Sequence, residues 1–440
     1  MSKAKKSRIA ASEKLEGRAL PIVLLIIFLD VIGVSILFPV LPQLIYDVFI
    51  PAGYSRSGSL IMLAWLIGIF AIMQFLATPI LGQLSDRFGR KKILAISLIG
   101  TAIGYILFAV AIITKNIPLL FFSRVLDGIT GGNISVARAV IADVSSHEHR
   151  TRNFGLMGAV FGMGFVMGPY IGARLASPGA DFFGLFTTPT WFGTSTPFWF
   201  TTGLALLAAT LVMMILPETH RHINNKLKLT WNKSLQNIKK AATNPKLRVI
   251  FGAEFMFWGG FTFFTTFFQI VLIEKLGFKV NNVGDFFAYI GICIALTQGL
   301  LTPFVAKRLK NYQVLRFSLI GTGIALFLQV WPSNTTQLLL VSPLIAIFNG
   351  LTMANASALV SISAGSENQG EVLGIEASVQ ALAQGIPAII AGYVATMGIN
   401  MPVIVGGSIV LLGGMLFNVF YRPSPEVARL EAADVRAAAH

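Results

Sequence analysis

Twelve long apolar runs, separated by polar stretches, begin near Pro21, Ser59, Ile93, Pro118, Phe154, Phe198, Val249, Val283, Val314, Gln337, Val372 and Pro402. A hydrocarbon core about 30 Å thick needs roughly 20 apolar residues of α-helix to cross it. The pattern therefore predicts an all-α integral membrane protein of twelve transmembrane helices. The spans use most of the 440 residues and leave no separate soluble domain. The longest polar interruption, Pro217 to Lys246, divides them six and six. The expected organisation is a tail at 1–20, a six-helix bundle at 21–216, a central loop at 217–247, a second bundle at 248–421 and a tail at 422–440.

Composition agrees with this reading. The chain is 55% hydrophobic and 12% charged, with a mean hydropathy of +0.73, too apolar for a water-soluble protein of this length. A formal charge of +15 raises nucleic acid as a partner, but the positions of the charges answer it. Of 34 Lys and Arg residues, 27 lie in the tails and in every second loop. Five lie in the opposite loops (Arg56, Lys115, Arg174, Lys275, Lys279) and two inside a span. This positive-inside asymmetry places both termini in the cytoplasm, so the charge reports topology and no nucleic-acid partner is expected. The basic tail before the first span resembles the start of a signal peptide, but the apolar run that follows is long and lacks a small-residue cleavage site. It reads as a retained span. The single cysteine, Cys293, permits no intramolecular disulfide and no cysteine metal cluster.

The two sets of six spans read as a duplication. Thr78-Pro79 and Ser97-Leu-Ile-Gly-Thr101 recur as Thr302-Pro303 and Ser318-Leu-Ile-Gly-Thr322, displaced by 224 and 221 positions. The stretch 127–135 (DGITGGNIS) aligns with 349–357 (NGLTMANAS) at a displacement of 222. Three anchors in one order at nearly one displacement argue for two pseudo-symmetric six-helix bundles, the repeat architecture of secondary transporters.

Ionisable residues inside spans cost roughly 2.5 to 3.5 kcal/mol on insertion scales, so they line a cavity or are paired. Asp30 in span 1 and Glu254 in span 7 are one such pair of counterparts, at a displacement of 224. In span 4, Arg124, Asp127, Gly128, Gly131, Ser135 and Arg138 have spacings that put them on one side of a single helix. Arg124 and Asp127, at i and i+3, either neutralise each other or line a charged cavity. In the second half Asn349 stands in place of Asp127. Span 11 presents Glu376, Gln380 and Gln384 on one face, and Glu376 reads equally as a protonation site or as a helix-start acid. Gly164, Gly168 and Gly172 recur every fourth position in span 5, with Pro169 among them, a smooth stripe for close helix approach. Trp258, Phe261 and Phe264, from the aromatic run of span 7, join Asn133, Asn349, Gln380 and Gln384 as candidates for a substrate cavity. Packing against lipid or other helices is the competing reading of the aromatics. No catalytic constellation emerges, so no enzyme is expected. His147, His149, His220 and His222 sit in loops without further ligands, so no metal site is expected either.

The loop between spans 2 and 3, GQLSDRFGRKKIL at 82–94, matches throughout the signature G-x-L-[SA]-D-R-x-G-R-[RK]-x-x-L of the major facilitator superfamily. Leu29-Asp-Val-Ile-Gly33 with Pro39-Val-Leu-Pro42, Gly164 to Gly172 and Leu216-Pro-Glu-Thr219 resemble its drug/proton antiporter branch, especially the tetracycline/proton antiporters. The resemblance implies a latch in which Asp86 caps the helix start near Gly370 and Glu371 while Arg90 pairs with Asp143. Gly82, Arg87 and Gly89 complete that signature. It also implies that Asp30 matters for transport, that Arg124 is the arginine usual in span 4, and that the span 5 element marks exporters. Asp127, Arg138 and Ala173, and the long outer loop at 174–197, depart from the tetracycline pattern.

These readings converge on a secondary transporter of the major facilitator fold in a bacterial inner membrane. The expected activity is proton-coupled antiport that exports an amphipathic small molecule, such as a drug-like compound, antibiotic or siderophore, by alternating access. Asp30, with Glu254 or Glu376, would carry the proton, with Arg124 or Arg138 tuning it. The proton gradient would be the energy source, with no cofactor, and the partners would be substrate, protons and bilayer, the chain acting as a monomer. A proton-coupled importer of a metabolite, nutrient or siderophore on the same fold is the alternative.

Overall fold

Among the described residues, ten helices are long and apolar enough to cross a membrane, from Ala19–Val40 to Met401–Phe420. The computed structural model describes the backbone at 3–145, 150–182, 184–219, 229–245 and 247–439, and side chains in these ranges except at 3–16, 18, 150–152, 154, 364–371 and 433–439. The helices in chain order are α1 (Lys3–Ser35), α2 (Leu37–Val40), α3 (Arg56–Phe88), α4 (Arg90–Thr114), α5 (Ile117–Thr130), α6 (Asn133–Val144), α7 (Arg150–Leu175) and α8 (Thr196–Met214). Then follow α9 (Lys233–Thr243), α10 (Arg248–Leu276), α11 (Val280–Leu296), α12 (Thr302–Ala306), α13 (Asn311–Leu328), α14 (Thr335–Ala395), α15 (Met401–Phe420) and α16 (Pro425–Ala439). α14 contains two of the spans, Thr335–Ser363 and Val372–Ala395. The interrupted pair α5/α6 and the shorter α13, which carries Arg316, are consistent with the remaining two of twelve.

One expectation needs correction. Span 4 is not a single helix: α5 ends at Thr130 and α6 begins at Asn133. Two consecutive glycines lower the local helix preference, and a tertiary contact uses the gap. A Cβ built on Gly132 would lie 2.8 Å from Leu81 Cδ1 and 3.0 Å from Thr78 Cα, so α3 occupies the space that a side chain would need. Gln74 Nε2 donates to the Gly131 carbonyl at 2.9 Å and satisfies an oxygen that the break removes from the helical ladder. Arg124 and Arg138 therefore belong to different helices rather than to one continuous face.

The chain divides into two compact units, residues 1–48 with 73–233 and residues 49–72 with 234–440. Within the first unit α1 packs on α7 and α8, and α4 packs on α5 and α8. Within the second, α10 packs on α14 and α15, and α13 packs on α14 and α15. The pairing scheme is the same in each, and a polar detail repeats with it. Thr101 Oγ1 meets Thr130 Oγ1 at 3.1 Å, and Thr322 Oγ1 meets Thr352 Oγ1 at 3.5 Å. Inside the second unit the first half of α3 packs on the end of α14: a Cβ on Gly68 would fall 2.4 Å from Ile389 Cγ1, and one on Gly392 2.3 Å from Ala64 Cβ. Arg56, at the start of this stretch, is paired with Glu274 near the end of α10. In the first unit the loop between α7 and α8 forms a small hairpin, β1 (Asp181–Phe182) against β2 (Phe186–Thr187), turned at Gly184 with φ of +70°.

Candidate functional site

The break between α5 and α6 organises the polar cluster of the first unit. Before it, Arg124 Nη2 lies 3.1 Å from Asp127 Oδ2, with both side chains nearly inaccessible. Arg124 also stacks over Phe108, 4.3 Å from the ring centroid, a cation–π contact that helps replace its lost hydration. Gly104 admits this turn, since a Cβ there would lie 3.1 Å from Asp127 Cβ. The Gly131 N–H donates to the Asp127 carbonyl at 2.6 Å and links the ion pair to the break. After the break, Asn133 Nδ2 donates to Asp30 Oδ1 at 3.0 Å. Asn133 is buried and committed to Asp30, which removes it from the expected substrate-cavity residues. Arg138 is half-buried, in the second turn of α6.

The second unit holds a different arrangement. Glu254 on α10 is 5% exposed and approaches Glu376 on α14 within hydrogen-bonding range. A hydrogen bond between two carboxyl groups requires that one of them carry a proton. Ser357 Oγ donates to Glu376 Oε1 at 2.6 Å and fixes its orientation. Phe257, Ala253, Thr352 and Ala356 line a narrow cavity beside Glu254. Farther along α10, Phe257, Phe261, Phe264 and Phe268 form a ladder of rings, with Phe261 and Phe264 centroids 5.7 Å apart. Trp258 and Phe261 are half-buried, as are Gln380 and Gln384 on α14. Phe264 is instead 3% exposed and belongs to the core, and Asn349 is 1% exposed, so neither presents a free cavity surface.

The glycines of α7 pack against the helix that carries Asp30. A Cβ on Gly164 would lie 2.6 Å from Val31 Cγ1, one on Gly168 1.8 Å from Ser35 Oγ, and one on Gly172 2.4 Å from the Ile36 carbonyl oxygen. Ser35 Oγ donates to the Gly164 carbonyl at 2.9 Å. Pro169 sits within α7 without ending it.

Comparison with known proteins identifies the fold family. The model of the Major Facilitator Superfamily matches residues 23–386 and again 250–438. The chain belongs to this superfamily. It is 30% identical over 366 residues to the tetracycline resistance protein, class E, of Escherichia coli, covering 82% of this chain and 83% of that one. It is 26% identical to multidrug resistance protein 2 of Bacillus subtilis (strain 168), covering 92% and 95%. Among solved structures, the human organic anion transporter MFSD10 (TETRAN) superposes with a TM-score of 0.69 at 22% identity over 91% of this chain and 99% of that one. The xylose transporter XylE from E. coli superposes with a TM-score of 0.71 at 15% identity over 93% and 98%. At these identities the structures establish the fold. This Major Facilitator Superfamily member is a multi-pass membrane protein.

The superfamily's signature stretch forms the end of α3 and the start of α4, which are joined at Gly89. Arg90 is 7% exposed and paired with Asp86 at 2.5 Å and with Asp143 at 3.0 Å, and its Nη1 donates to Ser85 Oγ at 2.6 Å. Arg87 lies over the Phe88 ring at 5.0 Å. Gly82 has open space where a Cβ would go, whereas Gly89 adopts φ of +98° and faces Glu218. The helix start that Asp86 was expected to cap near Gly370 and Glu371 is absent, because α14 runs through both residues without a break; the side chain of Glu371 lies outside the described residues, as do His147, His149, His220 and His222. Among the described residues no group of three His, Cys, Asp or Glu is placed to hold a metal.

Two acids at the ends of the bundles have structural roles that the sequence did not reveal. Glu218, of the Leu-Pro-Glu-Thr stretch, accepts from the backbone N–H of Arg90 at 3.0 Å and of Lys91 at 3.2 Å, and so caps α4. In the second unit Glu431 on α16 is 1% exposed and faces Asn311 and Tyr312 at the start of α13, with Lys310 beside it. Burial pushes the Glu431 carboxyl above the usual range, opposed by Asn311, Tyr312 and Lys310. A sequence signal existed for both: each acid follows the last span of its half within about a dozen residues. Glu218→Ala is expected to cost about 1 kcal/mol through loss of the cap. Thermal unfolding in detergent checks this, with Glu218→Gln expected to retain part of the stability.

Proposed function

We propose that the protein is a proton-coupled antiporter of a bacterial inner membrane that exports an amphipathic small molecule. The observation that carries this reading is the set of carboxyl groups within spans, Asp30 in the first unit and the Glu254–Glu376 pair in the second. Buried carboxyls are costly in a membrane interior, and proton relays in pumps and transporters are built from them. The aromatic ladder of α10, one turn from Glu254, supports a substrate with a substantial apolar surface. The names of the E. coli and B. subtilis relatives support tetracycline-like and other drug-like compounds as the first substrates to test.

In this mechanism a proton taken up by Asp30 or by the Glu254–Glu376 pair neutralises a buried charge and changes which helix packing is favoured. The return to the ionised state releases the proton to the cytoplasm. The proton gradient is the energy source, the termini are cytoplasmic, and a monomer suffices.

Purified protein in liposomes with an internal pH-sensitive dye tests the proposal. A substrate gradient from a tetracycline, a lipophilic cation or a siderophore should drive proton movement in the opposite direction. Asp30→Asn should reduce it at least tenfold, with the fold retained. Proton movement in the same direction as the substrate would establish the importer instead, and a full rate in Asp30→Asn would remove Asp30 as a carrier.

A further inference from the structure

We infer that Asn133 is a positioning residue that ties the protonation state of Asp30 to the packing of α3, with the Gly131–Gly132 break as the hinge. The inference rests on the proton-exchange reading above and extends it to a residue outside the ionisable set.

The chemistry begins with the amide. Asn133 is 2% exposed, and its Nδ2 donates to Asp30 at 3.0 Å, which suits an ionised carboxylate. Its Oδ1 is buried without a hydrogen-bond partner. A side-chain amide carries a donor on one side and an acceptor on the other. When Asp30 is protonated, half a turn about the last torsion presents Oδ1 to the carboxyl O–H, so one residue serves both states. A buried acceptor left unsatisfied is costly, and the unpaired Oδ1 is accounted for by this second task.

The position of Asn133 makes the exchange mechanical. It is the first residue of α6, directly after the break, and both sides of the break are fastened to α3. Gln74 Nε2 holds the Gly131 carbonyl at 2.9 Å, Ser135 Oγ contacts the Thr78 carbonyl at 3.2 Å, and Gly132 lies against Thr78 and Leu81. A change in the pull of Asp30 on Asn133 therefore acts on a joint with a partner helix, not on a rigid rod.

The second half supplies an internal control. Asn355 is the counterpart of Asn133, displaced by 222, but Met353 and Ala354 replace the two glycines. There the helix continues, and Asn355 Nδ2 turns back to the Leu351 carbonyl of its own helix at 2.7 Å. The same residue type reaches the acid only where the helix is broken.

The experiment compares the pH profile of substrate-driven proton movement in wild type, Asn133→Leu, Asn133→Gln and Gly132→Ala in proteoliposomes. Asn133→Leu should move the profile alkaline by about one pH unit, because it removes a donor that favours the charged carboxylate, while Asp127 of α5 and Tyr105 of α4, which face Asp30 from the neighbouring helices, are unchanged. Asn133→Gln should restore most of the shift. Gly132→Ala should slow exchange severalfold, because its Cβ would press on Thr78 and Leu81 and displace α3 at the joint. A uniform loss of rate in Asn133→Leu with an unmoved profile would overturn the inference and leave Asn133 a packing residue. A readout independent of transport is the infrared carboxyl band identified by its absence in Asp30→Asn. It should shift in Asn133→Leu even if no tested compound drives proton flux, and an unshifted band would likewise overturn the proposal.

Discussion

Arg124→Met is expected to destabilise the protein by about 3 to 5 kcal/mol, the usual result of removing one partner of a buried ion pair. The reason is the charge left behind. Asp127 is 2% exposed, and Arg124 is the cation 3.1 Å from its carboxylate. The pair itself contributes less than this figure suggests, since replacing both partners of a buried pair by apolar groups of similar size is often close to neutral. Arg124→Met/Asp127→Leu should therefore recover most of the stability lost in Arg124→Met. Thermal unfolding in detergent across the four proteins of this cycle measures the coupling. If the double variant is as unstable as the single one, the surrounding packing of Phe108 and Gly104 sets the cost rather than the orphaned acid. The same double variant separates stability from transport: recovered folding without recovered proton exchange would assign the charges to function.

Gly172→Val is the second large effect. Its Cβ would fall 2.4 Å from the backbone carbonyl oxygen of Ile36, so relief requires α7 to move away from the helix bearing Asp30. Overpacking a well-filled interface costs about 1 to 3 kcal/mol and more where backbone must move. Loss of stability, and of transport in whatever protein still inserts, is the expected outcome. Gly158→Val on the same helix is the control, because nothing lies within 4 Å of its Cβ direction. Equal behaviour of the two variants would show that helix propensity, not the contact with Ile36, governs this helix.

How much of this was legible in the chain depends on the range of the interaction involved. Arg124 and Asp127 pair at i and i+3, so helix geometry brings them together without knowledge of any neighbour. The break that follows them was not legible. A Gly-Gly step is tolerated within membrane helices, and what makes it a break is the approach of Thr78 and Leu81 from α3. Asp30 was nominated for its cost inside a span, yet its partner Asn133 lies 103 residues away and belonged to the presumed substrate cavity. Glu254 and Glu376 were separate candidates on separate spans until the packing of α10 on α14 placed them together. Phe264 looked like a cavity residue because an aromatic run does not state which ring faces the core.

The sequence by itself determined the membrane class and the succession of long apolar runs, because span length is enforced locally by the bilayer. It also marked which side chains are too costly to sit in a membrane without a purpose. Only the tertiary structure decided which of those groups meet: Asp30 with Asn133, Glu254 with Glu376, Glu218 with the start of α4. The physical reason is that hydrogen bonds and carboxyl contacts act over about 3 Å, while the residues that make them are separated by a hundred positions or more and are brought together by helix packing alone.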